Sequence, residues 1–288
     1  AYAPSLDPAV NAASLMTGLW PTTLGFLERG GKVDPQAWTI PTAARAHGAR
    51  TSAFLQDLFV TDLGLLGFDK SVEGVGLSSQ EIVDAVADDW RKHPDQPAWT
   101  WIHLNAAGDG AANVRDLLER LELSALDEDR RASSLIVIAG LSTRVTDPPA
   151  SPLVNDDRFR VPLYMALPGD LAAGRQGVGS ASLVDVAWAV VEVAKWRQPV
   201  PSMEGRTSVI AAMQGSVLPE WCLMIGPEGH VLRRDDERFF APGLPPAKLP
   251  DVSVCVPGGD GFVRSENDNV VRQGRMTYRE LVEELLKL

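Results

Sequence analysis

Up to about residue 200, short β-rich apolar runs alternate with stretches of helical periodicity, and this alternation constrains the fold more than any other feature of the chain. Residues 51–55, 98–104, 134–139 and 161–167 read as strands. Val10, Ala13 and Met16 recur at i, i+3 and i+6 within 8–19, a run that Pro21 is expected to stop. Residues 41–47 read as a helix closed by Gly48, a usual place for a left-handed cap. Ser78 with Glu81 forms a capping box, and behind it Ile82, Val86 and Trp90 fall on one stripe. Residues 109–123 are helical, with Val114, Leu117, Leu118 and Leu121 inward, and Ser182 opens an apolar helix that runs to Trp196. Such alternation predicts a mostly parallel sheet in an α/β sandwich. The continuous apolar run 134–139 has the pattern of a strand covered on both faces.

Beyond Pro199 and Pro201 the texture changes. Runs 221–225 and 252–256, set between Gly/Pro turns, predict a small antiparallel sheet. Thr277 and Glu280 are expected to cap a last helix carrying Leu281, Val282, Leu285 and Leu286. The expected organisation is an α/β domain over 1–217 and an antiparallel subdomain over 218–288.

Composition enters as an exclusion. The 288 residues carry 27 basic and 38 acidic side chains, a net charge of −11. Without a basic face, nucleic acid is disfavoured as a partner, and so is an anionic membrane surface. No run approaches the roughly 20 apolar residues of a membrane span. Cys222 and Cys255 have no metal-type spacing and read as buried thiols. The chain opens at Ala1 without an initiator Met, which points to a trimmed start, and the sequence sets no compartment.

Local motifs for chemistry are scarce. HExxH, GxSxG, GxxxxGK[ST] and a GxGxxG after a strand are all missing. The glycine-rich stretches 108–110 and 258–261 read as turns. The acidic run 235–237 reads as a solvated loop and the charged stretch 127–131 as a connector. Of four histidines only His103 sits at the end of a central strand, where α/β active sites collect.

The opening segment AYAPSLDPAVNAASLMTG (1–18), followed by Gly18-Leu19-Trp20-Pro21, resembles the signature segment of sulfatases in the alkaline phosphatase superfamily. The resemblance continues through AHGARTSAF (46–54), 82–101, RVPL (160–163) with LPG (167–169), SLVD (182–185) and MEGRT (203–207). It implies an alkaline phosphatase/sulfatase-like α/β/α sandwich, a small C-terminal antiparallel sheet and a terminal helix.

At the catalytic positions of that family the sequence departs. The nucleophile position, a cysteine converted to formylglycine in sulfatases, falls on Pro8, which offers no oxygen or sulfur for covalent attack. The Pro and Arg of the C-x-P-S-R motif fall on Val10 and Ala12, so the cation that would anchor a charged substrate is lost. A metal-binding Asp-His pair falls on Leu141 and Ser142, and leucine cannot ligate a hard cation. The first His of a further metal motif is kept as His103, but its later Asp-Pro-His is replaced near Ala106-Ala107-Gly108. The family's first strand, with its Asp-Asp pair, would precede Ala1. The resemblance therefore implies that another segment or a partner chain fills that slot.

The expected function is that of a catalytically inactive sulfatase-like protein with a structural, regulatory or partner-binding role and no cofactor. A protein partner or self-association would complete its sheet, and Trp20, Trp38 and Trp196 are candidate contacts. The alternative is an active metal-dependent sulfatase or phosphoester hydrolase with a relocated site, using Asp7, Ser5 or His103 and a divalent metal such as Ca²⁺.

Overall fold

The computed structural model describes residues 1–25, 30–56, 66–73, 77–104, 119, 128–142, 158–170, 174–177, 179–196, 203–205, 208–218, 221–226, 229–234, 237–243, 245, 252–258 and 261–286. Apart from residue 119, the helix expected over 109–123 lies outside them, as do the acidic pair 235–236 and residues 106–108.

Three parallel strands form the α/β core: β1 (Arg50–Leu55), β2 (Lys70–Glu73) and β3 (Ala98–His103), in the order β2-β1-β3. Side chains alternate between faces along each strand. The register row Val72–Phe54–Ile102 faces helix α4 (Ser79–Lys92), where Phe54 packs on Ile82, Val83 and Val86. Ala53, Leu55, Trp99 and Trp101 pack on the opposite side, in a core built with α1 (Pro8–Thr17) and α3 (Ile40–Ala46). Short α2 (Pro21–Leu24) follows α1. The capping box at Ser78–Glu81 and the apolar stripe of α4 form as the sequence predicts. The end of α1 does not: Gly18, at φ 68°, stops it, and Pro21 opens α2 instead.

After α5 (Glu128–Ser133), β4 (Ile136–Ala139) pairs with β5 (Leu163–Ala166) antiparallel, within an α/β part expected to be mostly parallel. All four β4 residues are half-buried rather than covered on both faces, and β5 is the strand's one hydrogen-bonded neighbour among the described residues. A 3₁₀ turn, Pro168–Asp170, leads on to α6 (Asp185–Ala194), which lies against α1, and to the short α7 (Val209–Met213).

The C-terminal part is an antiparallel meander of β6 (Trp221–Gly226), β7 (Gly229–Arg234), β8 (Glu237–Pro242), β9 (Ser253–Gly258) and β10 (Gly261–Arg264). One face packs Leu223, Leu232, Phe239 and Val254 on Tyr278, Leu281 and Val282 of α8 (Asp268–Leu286). The other packs Met224 and Val231 on Tyr2 and Phe159. Thr277 is therefore not a cap. It is buried in mid-helix, and Asn267 supplies the cap through its side-chain oxygen, which accepts from the N–H groups of Asn269 and Val270. Cys222 and Cys255 are free and buried. They sit on β6 and β9, three strand steps or about 14 Å apart, too far to bridge. Trp20, expected as a contact residue, is instead buried in the C-terminal core, while Trp196 stacks on His47. No helix among the described residues is long and apolar enough to cross a membrane.

Three segments quoted for the resemblance meet in one place. The Gly18 carbonyl accepts from the N–H groups of Glu204 and Gly205, and the Glu204 carboxylate accepts from Trp20 N–H and the Thr23 hydroxyl, both at 2.7 Å. A Cβ on Gly205 would lie 2.1 Å from the Val184 carbonyl oxygen, so only glycine fits there.

One buried charge cluster ties α4 to the sheet. Asp89, 4% exposed, accepts from Arg50, from Lys70 at 3.1 Å and from the Ser52 hydroxyl at 3.4 Å. Burial alone would raise its pKa, but the hydrogen bonds and charges of Arg50 and Lys70 outweigh burial and hold it below the ordinary value. Asp89→Asn leaves Arg50 without its counter-charge. Urea unfolding is expected to show a loss of roughly 3 kcal/mol, at the low end for a buried pair because Lys70 reaches solvent. With its pKa lowered on folding, the Asp89 contribution is complete above the unfolded value of about 3.9 and is lost as pH falls through the folded one. The Asn variant should therefore lose least relative to wild type in strong acid.

Candidate functional site

The site is built on the N-terminus of α1. Residues 1–5 run extended between 159–161 and 181–183. Tyr2 N–H donates to Ala181 O, Ala3 N–H to Phe159 O, and Leu183 N–H to Tyr2 O. The segment then meets the C-terminal sheet, where Ile225 N–H donates to Pro4 O at 2.8 Å. This threading delivers Asp7 and Pro8 to the start of the helix.

Helix N-termini bind anions because their first N–H groups lack partners within the helix. Here each of those donors is accounted for. Pro8 stands at the first position and has no N–H. Ala9 and Val10 donate to Asp7 Oδ1 at 2.8 and 3.4 Å, and Asn11 N–H donates to Asp7 O at 3.0 Å. The Asp7 carboxylate therefore occupies the place an external anion would take. Asp7, named as a relocated catalytic group, is the helix cap.

Asn11 closes the site from below. Its Nδ2 donates to Ser5 O at 2.8 Å and to Leu141 O at 2.7 Å, and its Oδ1 accepts from Ser5 N–H at 2.9 Å. The amide is fully buried. These bonds bring the backbone of Leu141, just past the end of β4, against the first turn of α1. Ala12 is fully buried in the core with Ala9, Ala13 and Met16. Ser142 is exposed and Pro8 half-buried. His103 ends β3, half-buried, in register with Leu55 and on the face it shares with Trp99 and Trp101, and its carbonyl accepts from Gln56 N–H at 3.0 Å.

Among the described residues no group of three or more His, Cys, Asp or Glu is placed to hold a metal ion. Asn11 is the residue that reading the sequence missed. Its one local signal is an amide side chain at the third step after Pro8, in a helix whose other polar residues are the hydroxyls Ser14 and Thr17.

No family model matches the chain, and no curated protein matches it. Solved structures do. A phosphonate monoester hydrolase of Agrobacterium radiobacter superposes with a TM-score of 0.75 at 12% identity, over 99% of this chain and 87% of that one. A phosphonate monoester hydrolase from Silicibacter pomeroyi gives 0.72 at 10% identity, over 100% and 87%. A protein in the alkaline phosphatase superfamily from Vibrio parahaemolyticus gives 0.69 at 12%, over 98% and 77%. The chain has the alkaline phosphatase/sulfatase-like fold.

Asp7→Ala uncaps two N–H groups and is expected to cost about 0.5–2 kcal/mol of stability. Asp7→Asn and Asp7→Ser keep an acceptor and should cost much less. Urea denaturation of the three variants checks this order.

Proposed function

We propose that this chain is a catalytically inactive, sulfatase-like protein kept for its shape, acting as a structural, regulatory or partner-binding component. The observation that carries the reading is the accounting at α1: Pro8 has no nucleophilic atom, and Asp7 takes up the remaining donors of the first turn. Leu141, at the position where the resemblance implies a metal-binding Asp, offers its backbone carbonyl to Asn11 and no carboxylate to a cation. Ala12 likewise has no charge with which to hold a sulfate or phosphate group.

The partner-binding side of the proposal draws on β3 and β4. β4 is apolar and half-buried throughout, β3 is half-buried beyond its exposed first residue, Ala98, and each is hydrogen-bonded along one edge among the described residues. An open edge is a template for another strand, supplied by a protein partner or a second copy of the chain.

The test is an assay of aryl sulfate, phosphate monoester and phosphonate monoester hydrolysis with Ca²⁺, Mg²⁺, Mn²⁺ or Zn²⁺ added, beside a light-scattering mass of the same preparation. The expected result is no turnover above the metal-containing buffer, and a mass above the 31.1 kDa of the single chain if self-association completes the sheet. Turnover that disappears in Asp7→Ala or His103→Ala would overturn the inactive reading in favour of a relocated site. A strictly monomeric mass would remove self-association and leave a different protein as the partner.

A further inference from the structure

Strand β3 leaves hydrogen-bonding groups of two kinds without partners among the described residues. The first kind is in the backbone. Along a strand the N–H and C=O of one residue point to the same side, and successive residues alternate. The Pro97 and His103 carbonyls accept from Arg50 and Gln56 N–H, at 2.9 and 3.0 Å, so this set of alternate residues turns its backbone groups toward β1. Thr100 and Ile102 belong to the other set and face the far edge, where no strand pairs among the described residues. Exposure follows the pairing. Flanked by β2 and β3, β1 is buried from Thr51 to Leu55, whereas β3 is half-buried from Trp99 to His103.

The second kind is in the side chains. Trp99 and Trp101 share the face that packs toward α1, and the Nε1 of each is buried with no hydrogen-bond partner. An indole N–H only donates, and a buried donor without an acceptor forfeits the hydrogen bond it made to water. Trp90, on the opposite face, shows the ordinary arrangement: its Nε1 donates to the Thr100 hydroxyl at 3.0 Å. Trp99 and Trp101 as whole residues are only half-buried, so each keeps an open side. A turn of the ring about its Cβ–Cγ bond carries the N–H to that side once an acceptor is there. A strand paired along this edge sets its same-face side chains beside the two tryptophans, with Cβ atoms about 5 Å apart.

We propose that the β3 edge receives an extended strand of a different polypeptide, whose two successive side chains on the α1 face are hydrogen-bond acceptors, aspartate or asparagine, that take the Trp99 and Trp101 N–H groups. The inference rests on the open-edge reading of β3 and is independent of whether the α1 site is inert. A second copy of the chain fits less well. On that face its own β3 offers two donor-only indoles and the His103 ring, and its β4 offers Val137 and Ala139.

The probes are synthetic strands of alternating threonine and valine, and the same strands with two successive valines replaced by aspartate or by asparagine. Binding to the full chain is followed by NMR, through the Thr100 and Ile102 amides and through the indole N–H resonances assigned with Trp99→Phe and Trp101→Phe. The aspartate and asparagine strands are expected to slow exchange of the Thr100 and Ile102 amides and to move both indole resonances. They should bind about tenfold more tightly than the valine strand, and each Phe variant should remove most of that preference. Strands that bind equally whatever those two positions carry, with the indole resonances unmoved, leave the edge open but overturn the acceptor chemistry. Failure of every strand to protect Thr100 and Ile102 overturns the open edge, and the proposal with it. Should a Phe variant not fold, the comparison of strands on the wild-type chain still decides. A peptide-free dimer with Thr100 and Ile102 already protected puts a second copy in the edge and overturns the choice of a different polypeptide.

Discussion

The side-chain amide of Asn11 makes three hydrogen bonds from a fully buried position, and the surrounding architecture depends on them. Two hold both polar groups of the Ser5 backbone, and the third reaches 130 residues along the chain to Leu141 O. Loss of the amide would leave buried backbone groups unpaired, which costs about 1–3 kcal/mol each. The same bonds tie Ser5, just before the cap of α1, to the end of β4 through one side chain.

Around this point, shape and chemistry separate. The Gly18–Glu204–Gly205 junction and its contact with Val184 are built from backbone groups and one carboxylate, so they require particular residues for geometric reasons alone. The helix start asks only for a residue tolerated at the first position and a side-chain oxygen before it, and Pro8 and Asp7 meet both needs. A helix that serves a ligand leaves donors unspent, whereas this one spends each of them within its own segment. Of the positions where the resemblance implies charge, Ala12 and Leu141 are buried and Ser142 is exposed.

What was legible in the sequence was local. The Ser78–Glu81 box, the α4 stripe, the strand read at 51–55 and the antiparallel sheet of short runs past residue 220 are set by neighbours within a few positions, and all form, the strand one residue earlier at Arg50. The resemblance added the fold that the solved structures share. What was not legible depends on partners distant in sequence. Thr277 looks like a cap because Glu280 follows at the right spacing, yet Asn267 starts the helix ten residues earlier and packing on β8 and β9 carries it through. The antiparallel pairing of β4 with β5 leaves no mark in an apolar run that suits either direction. The role of Asn11 arises from its contact with Leu141, which no local period announces.

The central claim is that the first turn of α1 has no donor to give an external anion. The most direct measurement follows the backbone amide resonances of Ala9, Val10 and Asn11 while sulfate or phosphate is titrated in, with and without a divalent cation. The account predicts that these three amides move no more than the other amides of the protein. Saturable shifts confined to them, reversed by washing out the anion, would contradict it.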